Sequence, residues 1–310
     1  MSAPDAPEAG TGGLLYGIGA YGMWGLFPAF FPLLKPAGAV EVLAHRIVWT
    51  LVLMAVVLIA VGRLGDVRSI SRRTWLLLIC AAILVSLNWV IYVYAVNNGH
   101  VVDAALGYFI NPLFSVALGV LIFRERVNRA QSVALLIAVI AVAVLGVEVG
   151  GPPVIALGVA LSFGLYGAVK KVVPVDPRVS VGVEAAIAAP LAVAYIAVVQ
   201  VTGEGQFTGH GPGHIALMVL SGPVTAIPLL LFAAAAQRLP LVTLGLLMYL
   251  TPAMQMTWGV VVGHETMPVG RWIGFGLIWL ALAVFSGDAL RRAGADRAAV
   301  DRDGRQTSYR

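Results

Sequence analysis

Arg46 carries a permanent charge into residues 39–62, a stretch built mostly of Val, Leu, Ile and Ala, and Glu41 and His45 stand on the turn before it. In a helix that starts at residue 39, a rise of about 1.5 Å per residue sets Arg46 roughly 10 Å along the axis. A charge near the middle of a membrane span costs about 2.5–3.5 kcal/mol on insertion scales, so it needs a partner or a wet cavity. The chemistry this trio offers is attraction of an anion by Arg46, with His45 as a titratable neighbour. The structural alternative is a tie from Glu41 to Arg46 or His45, or snorkelling of the long side chain. In the stretch 74–96, Asn88 and Tyr92 lie one turn apart and share a helix face beside Trp89. That face suits hydrogen bonding and stacking against an organic solute, or bonding to a neighbouring helix for about 1 kcal/mol.

Pro112 and Pro252 each remove a backbone donor inside an apolar run, which leaves a carbonyl free for a ligand, a water or a hinge, or makes a static kink. Tyr108, Asn111, Tyr249 and Gln255 stand close to them. Trp24 and Tyr166 are candidate aromatic cavity walls, and Gly22, Gly25, Gly164 and Gly167 beside them suit close helix approach. Glu125 and Glu265 could form a proton-coupling pair, but both fall at span ends, where capping or pairing with Arg124, Arg126 or Arg271 is the expectation. Asp103 and Glu184 begin spans, where a carboxylate favours a helix N-terminus. His210 and His214 sit among Gly209, Gly211, Pro212 and Gly213 and read as incidental surface histidines. No Gly-rich loop ends in Gly-Lys-Ser/Thr, no His pair has His-Glu-x-x-His spacing, and Cys80 is the single cysteine, so no cofactor or metal is expected.

The elements that must carry these residues follow from composition. Of 310 residues 60% are hydrophobic and 11% charged, about half the charged share of an average soluble domain. Runs without formal charge fall near 13–34, 39–62, 74–96, 101–123, 130–148, 152–170, 180–200, 213–236, 240–262 and 268–288. They are apolar on every face and lack the alternation of a membrane barrel. The fold class is therefore an all-α polytopic membrane protein of ten transmembrane helices. Of the 20 Lys and Arg residues, all but Lys35, Arg46 and Arg271 fall in alternate connections or the C-terminal tail. Both termini are thus expected in the cytoplasm, with the chain multi-pass in the cytoplasmic (inner) membrane. Met1 to Gly12 lack the features of a secretory signal, so the first run is expected to stay as a helix.

A shift of 140 positions lays Phe109-Ile110-Asn111-Pro112, Gly119 and Glu125 on Tyr249-Leu250-Thr251-Pro252, Gly259 and Glu265. The same shift pairs Asn88 with Pro228 and Tyr92 with Phe232, which adds Phe232 to the candidate cavity residues. A shift of 142 lays Tyr21-Gly22-Met23-Trp24-Gly25 on Phe163-Gly164-Leu165-Tyr166-Gly167. Five spans per copy invert the second copy, the arrangement of many secondary transporters. The expected organisation is a cytoplasmic tail 1–12, a first five-helix repeat 13–148, an inverted second repeat 149–288 and a basic tail 289–310.

This arrangement resembles the EamA branch of the drug/metabolite transporter superfamily. Within it, Ala44-His45-Arg46-Ile47-Val48-Trp49, Ala105-Leu106-Gly107-Tyr108-Phe109-Ile110-Asn111-Pro112 and Pro228-Leu229-Leu230-Leu231-Phe232 resemble RarD-type proteins. The resemblance spans residues 13–288 and implies a permease with a central cavity lined by both halves. The leading expectation is a secondary transporter, not an enzyme, that moves a small organic metabolite or drug-like solute by alternating access. A membrane-embedded enzyme, or a channel or scaffold, is the alternative. Expected partners are a small-molecule solute and membrane lipids, with a coupling proton or cation and homo-oligomerisation left open, and no nucleic acid.

Overall fold

The computed structural model describes residues 6–97, 101–147, 154–262, 264, 269–270, 272–274, 276–288 and 291. Among them every regular element is helical. The order is α1 Ala6–Gly25, α2 Phe27–Phe30 running into a 3-10 turn Phe31–Leu34, α3 Ala39–Ala60, α4 Leu64–Arg68, α5 Arg72–Asn97, α6 Val101–Leu121 and α7 Arg129–Gly146. The order continues with α8 Val154–Val172, α9 Pro177–Val201, α10 Gly211–Arg238, α11 Leu241–Met248 and α12 Leu250–Val261.

Among the described residues seven stretches are long and apolar enough to cross a membrane: Gly12–Leu34, Ala39–Ala60, Arg72–Tyr92, Arg129–Gly146, Val154–Val172, Pro177–Val201 and Gly211–Arg238. Three shorter apolar helices, Leu106–Leu121, Leu241–Gln255 and Trp272–Asp288, fall in the other expected spans. Large apolar side chains such as Leu76, Leu136 and Leu191 stay exposed on the outside, the surface a hydrocarbon solvent requires. The chain is a multi-pass α-helical membrane protein.

The helices before residue 148 pack chiefly on those after it. α1 lies on α10, α3 on α9 and α10, α5 on α8, and α6 on α8 and α11. Small residues permit this. A Cβ added at Gly222 would stand 2.5 Å from the backbone carbon of Trp49, and one at Gly107 would stand 2.7 Å from the carbonyl oxygen of Ala156. Of the glycines singled out from sequence, Gly25 is crowded by Met254 and Gly164 by Phe114, whereas nothing lies within 4 Å of the same point at Gly22.

Two expected spans are broken just before a proline. α1 ends at Gly25 and Pro28 cannot donate to the carbonyl of Trp24 four residues back; α11 ends at Met248, the residue four before Pro252. Pro112, in contrast, sits inside α6 without interrupting it. The helix expected to start at residue 180 starts at Pro177, because Asp176 caps it by accepting from the Arg178 backbone N–H at 2.9 Å.

Candidate functional site

Arg46 projects from the second turn of α3 into a group of rings. Its guanidinium carbon lies 5.6 Å from the ring centre of Phe27, 5.1 Å from that of Phe31 and 5.2 Å from that of Trp89. Its Nε donates to Thr225 Oγ1 on α10 at 2.8 Å. Tyr92 and Tyr108, whose rings meet edge to face at 5.9 Å, stand within electrostatic reach of the same charge. Among the described residues no carboxylate pairs with Arg46, and both terminal nitrogens of its fork are without a hydrogen-bond partner. Ring faces stabilise a cation but do not neutralise it.

The tie expected from Glu41 to Arg46 or His45 is replaced by another. Glu41 accepts from the backbone N–H of Gln206 at 2.7 Å and of Phe207 at 3.1 Å, so α3 holds the α9–α10 connection. Two adjacent backbone donors with no helix of their own to enter outcompete a charge that rings already enclose. His45 stacks on Phe207 at 4.5 Å and accepts from Trp49 Nε1 at 3.2 Å, and its Nε2 has no partner among the described residues. His214 is likewise corrected: it lies in the first turn of α10, buried, with its Nε2 unpartnered, rather than on a loop surface.

Trp24, Tyr166 and Phe232 come together. Phe232 stacks on Tyr166 at 5.6 Å and lies 5.7 Å from Trp24, with Tyr21 and Phe163 completing a cluster of five rings. Tyr21, Tyr166 and Phe232 are fully enclosed, so the cluster is packed ring on ring. Gln255 donates from Nε2 to the Trp24 carbonyl at 3.0 Å, supplying the bond that Pro28 cannot. Tyr249 donates to the Phe109 carbonyl at 3.3 Å, across the interface of α6 with α11. Asn111 is buried beside Pro112, where its Oδ1 accepts from Ser115 and its Nδ2 is unpartnered among the described residues. Asn88 does not turn toward Arg46; its Nδ2 donates to the Val159 carbonyl at 3.0 Å and to Ser162 Oγ at 3.1 Å on α8.

Glu184 does not sit at a helix start. It lies two turns into α9, 6% exposed, and pairs at 2.7 Å with Lys170 of α8, itself 1% exposed. The same Oε1 accepts from Ser180 Oγ at 2.7 Å, and Oε2 accepts from Tyr166 Oη at 3.0 Å. Glu125 caps as expected but with other partners. Its two oxygens accept from the Leu241 and Val242 backbone N–H at 2.8 and 2.9 Å, at the start of α11, and Lys171 stands 3.2 Å away. On the same face Asp176 is shared by Arg178 and Arg63. The hydrogen bond from Arg178 holds its carboxyl down at about 2, against the opposing effect of burial. Glu265, Arg271 and the side chains of Asp103 and Asn97 lie outside the described residues.

Sequence reasoning placed Lys170 in a basic connection and so missed its pair. The available signal was a Lys and a Glu 14 residues apart on the two arms of one helical hairpin, with Ser180 one turn before the Glu. Phe27, Phe31 and Thr225 carried no signal, since they reach Arg46 only through the break at Leu26 and the approach of α10.

Two stretches, residues 11–147 and 153–287, each match the model of the EamA-like transporter family. Protein RarD of Streptomyces exfoliatus is 49% identical over 291 residues, 93% of this chain and 92% of that protein. The uncharacterized transporter YojE of Bacillus subtilis is 39% identical over 286 residues, 88% of this chain and 93% of that protein. A protein of known crystal structure, 20% identical, shares the fold with a TM-score of 0.69 over 89% of this chain and 98% of its own.

Proposed function

The chain belongs to the EamA-like transporter family, as a RarD-type member, and from that premise we propose a permease that carries a small organic solute across the cytoplasmic membrane by alternating access. The halves are two inverted repeats of five transmembrane helices with both termini in the cytoplasm. Three observations support this architecture. The same family model matches twice, at 11–147 and 153–287. Exchanging α1 with α8, α3 with α9, α5 with α10 and α6 with the α11–α12 pair maps the contacts α1–α10, α3–α10 and α6–α8 onto α8–α5, α9–α5 and α12–α1, all of which are present. The bond from Tyr249 to Phe109 joins two residues that the repeat itself pairs, as expected on a two-fold axis.

The observation that carries the solute site is the Arg46 guanidinium, ringed by Phe27, Phe31 and Trp89 and free at both terminal nitrogens among the described residues. A planar fork with unused donors recognises a carboxylate or a similar anionic head, and the rings around it accept a flat or apolar body. Trp24, Tyr166 and Phe232 would form a wall that opens when the halves rock, with Pro112 and Pro252 near the moving joints. His45, Tyr92, Tyr108, Asn111, Tyr249 and Gln255 complete the proposed lining and its supports.

The test is counterflow of a metabolite panel in proteoliposomes holding the full chain. Saturable, protein-dependent exchange of at least one solute, abolished by excess of the same solute unlabelled, is the expected result. Flux that rises linearly without saturation would indicate a channel, and no flux across the panel would sink the carrier reading for those solutes.

A further inference from the structure

Resting on that carrier reading, we propose that Glu184 is the site at which the protein takes up and releases a coupling proton, with Lys170 as its charge partner, and that this proton binds together with an anion held at Arg46. The Lys170–Glu184 pair is enclosed within the helices, where two charges withdrawn from water are expensive and apolar packing would join α8 to α9 at least as well. An intramembrane ion pair is therefore first a functional feature. Here two further observations say what it does.

The first is a cavity of about 20 Å³, room for one water, lined by Glu184, Thr50, Ser86, Trp89, Ile47 and Leu229. Trp89 lines it with Glu184 and also lies against Arg46 at 5.2 Å, so one indole borders both the cavity and the guanidinium. The second is the set of hydroxyls. Ser180 Oγ and Tyr166 Oη donate to the Glu184 carboxylate, and each can rotate to accept when the carboxyl becomes a donor. Tyr166 is stacked on Phe232 in the ring cluster of the two halves, so the carboxyl is bonded to the region that must repack when they rock.

The coupling follows from charge. In the present arrangement Lys170 and Glu184 sum to zero and Arg46 carries a positive charge that no carboxylate among the described residues pairs. A proton moving from water in the cavity onto Glu184 leaves Lys170 and Arg46 both uncompensated in a poorly polarisable interior. That state is favoured only when an anion enters, and the entering anion raises proton affinity by the same factor that the proton raises anion affinity. Proton and anion thus travel together, and the proton returns to water on the far side as the Lys170–Glu184 pair reforms.

The other ionisable groups on the packed elements lie elsewhere on those elements. On α3, Glu41 is bound to the Gln206 and Phe207 backbone and His45 is stacked on Phe207. On α5 the groups are Arg72 and Arg73 in the first turn, Tyr92 against Tyr108, and Tyr94; on α10 they are His214 in the first turn and Arg238 in the last. On α8, Lys171 is turned to Glu125, and at the start of α9 Arg178 is turned to Asp176.

Infrared difference spectroscopy of the full chain in lipid nanodiscs tests the site without knowing the solute. On acidification the carbonyl stretch of a protonated carboxylic acid should grow in the wild type when a carbonyl-free anion such as benzenesulfonate is present, stay smaller when it is absent, and be missing in Glu184→Gln. In Lys170→Met the band should no longer need the anion, because the charge that the anion would compensate is gone. Should Glu184→Gln fail to fold, Glu184→Asp must shift the band. A wild type with no Glu184-dependent band, or one whose band ignores the anion, makes the pair a static staple and overturns the proposal. For a solute that passes the counterflow test, accumulation under an imposed pH gradient should exceed that without one by about tenfold or more in the wild type, and the ratio should fall to near one in Glu184→Gln. An unchanged ratio overturns the coupling and leaves the carrier standing; failure of every solute removes the carrier reading while the infrared result still decides the proton site.

Discussion

Arg46 is held by one hydrogen bond and three ring faces, and this imbalance separates its contribution to folding from its contribution to binding. Removing an uncompensated charge from a membrane interior should leave stability unchanged or raise it, whereas removing a solute's anchor should remove flux. Arg46→Ala is therefore expected to lower counterflow by about tenfold or more with an unchanged or higher Tm. Arg46→Lys, which keeps the charge but loses the fork and the stacking, should recover only part of the flux. Measured side by side, a fall in both Tm and flux would make Arg46 a structural residue instead. Asn88 reverses the pattern, since both its donors go to α8, and Asn88→Ala should lower Tm without altering apparent KM. Arg46 was legible in the sequence because charge in an apolar run is conspicuous. The partners of Glu41 were not, because a backbone N–H in a connection 165 positions away has no signature in residue type.

At the scale of elements, prolines decide where helices stop, and side chains elsewhere in the chain repair the result. Pro28 strips the Trp24 carbonyl of its donor and Gln255 supplies one from α12. Gln255→Leu should thus leave a buried carbonyl unpaired and cost about 1–3 kcal/mol. In a Pro28→Ala background the helix can supply its own N–H, and the same substitution should cost much less. A double-mutant cycle by thermal unfolding reads this directly; additive effects would show that Gln255 does not serve that carbonyl. Seven of the expected spans coincide with described helices long and apolar enough to cross a membrane, and the prolines predicted bends. The position of each break was not, because it falls up to four residues before the proline, wherever packing lets the freed carbonyl find a partner.

Across the whole molecule the two halves are joined on one face by charge. Asp176 binds Arg178 and reaches Arg63 beyond α3 at 2.7 Å, while Glu125 holds Lys171 and the start of α11. Asp176 is depressed to about 2, so its stabilising share is present above its unfolded value near 3.9 and is lost as pH falls from about 4 through 2. Wild type should lose Tm over that window, and Asp176→Asn should start lower at neutral pH and lose less on acidification. High salt should shrink the difference, because Arg63 and Arg178 are both partly exposed. A steeper acid loss in the variant would contradict the assignment. The membrane class could be read from composition at this scale, whereas the interleaving of early helices with late ones is visible only where α3 meets α9 and α6 meets α11.

The break at Tyr249 gives one stretch of chain two allegiances: α11 rests on α6 and is pinned by Glu125, while α12 rests on α1 and α2. Mechanically this is a crank with a single soft joint. Through that joint motion of α6 can be passed to the broken end of α1, and with it to the rings around Arg46, so its stiffness bears on the tempo at which one side of the protein answers the other.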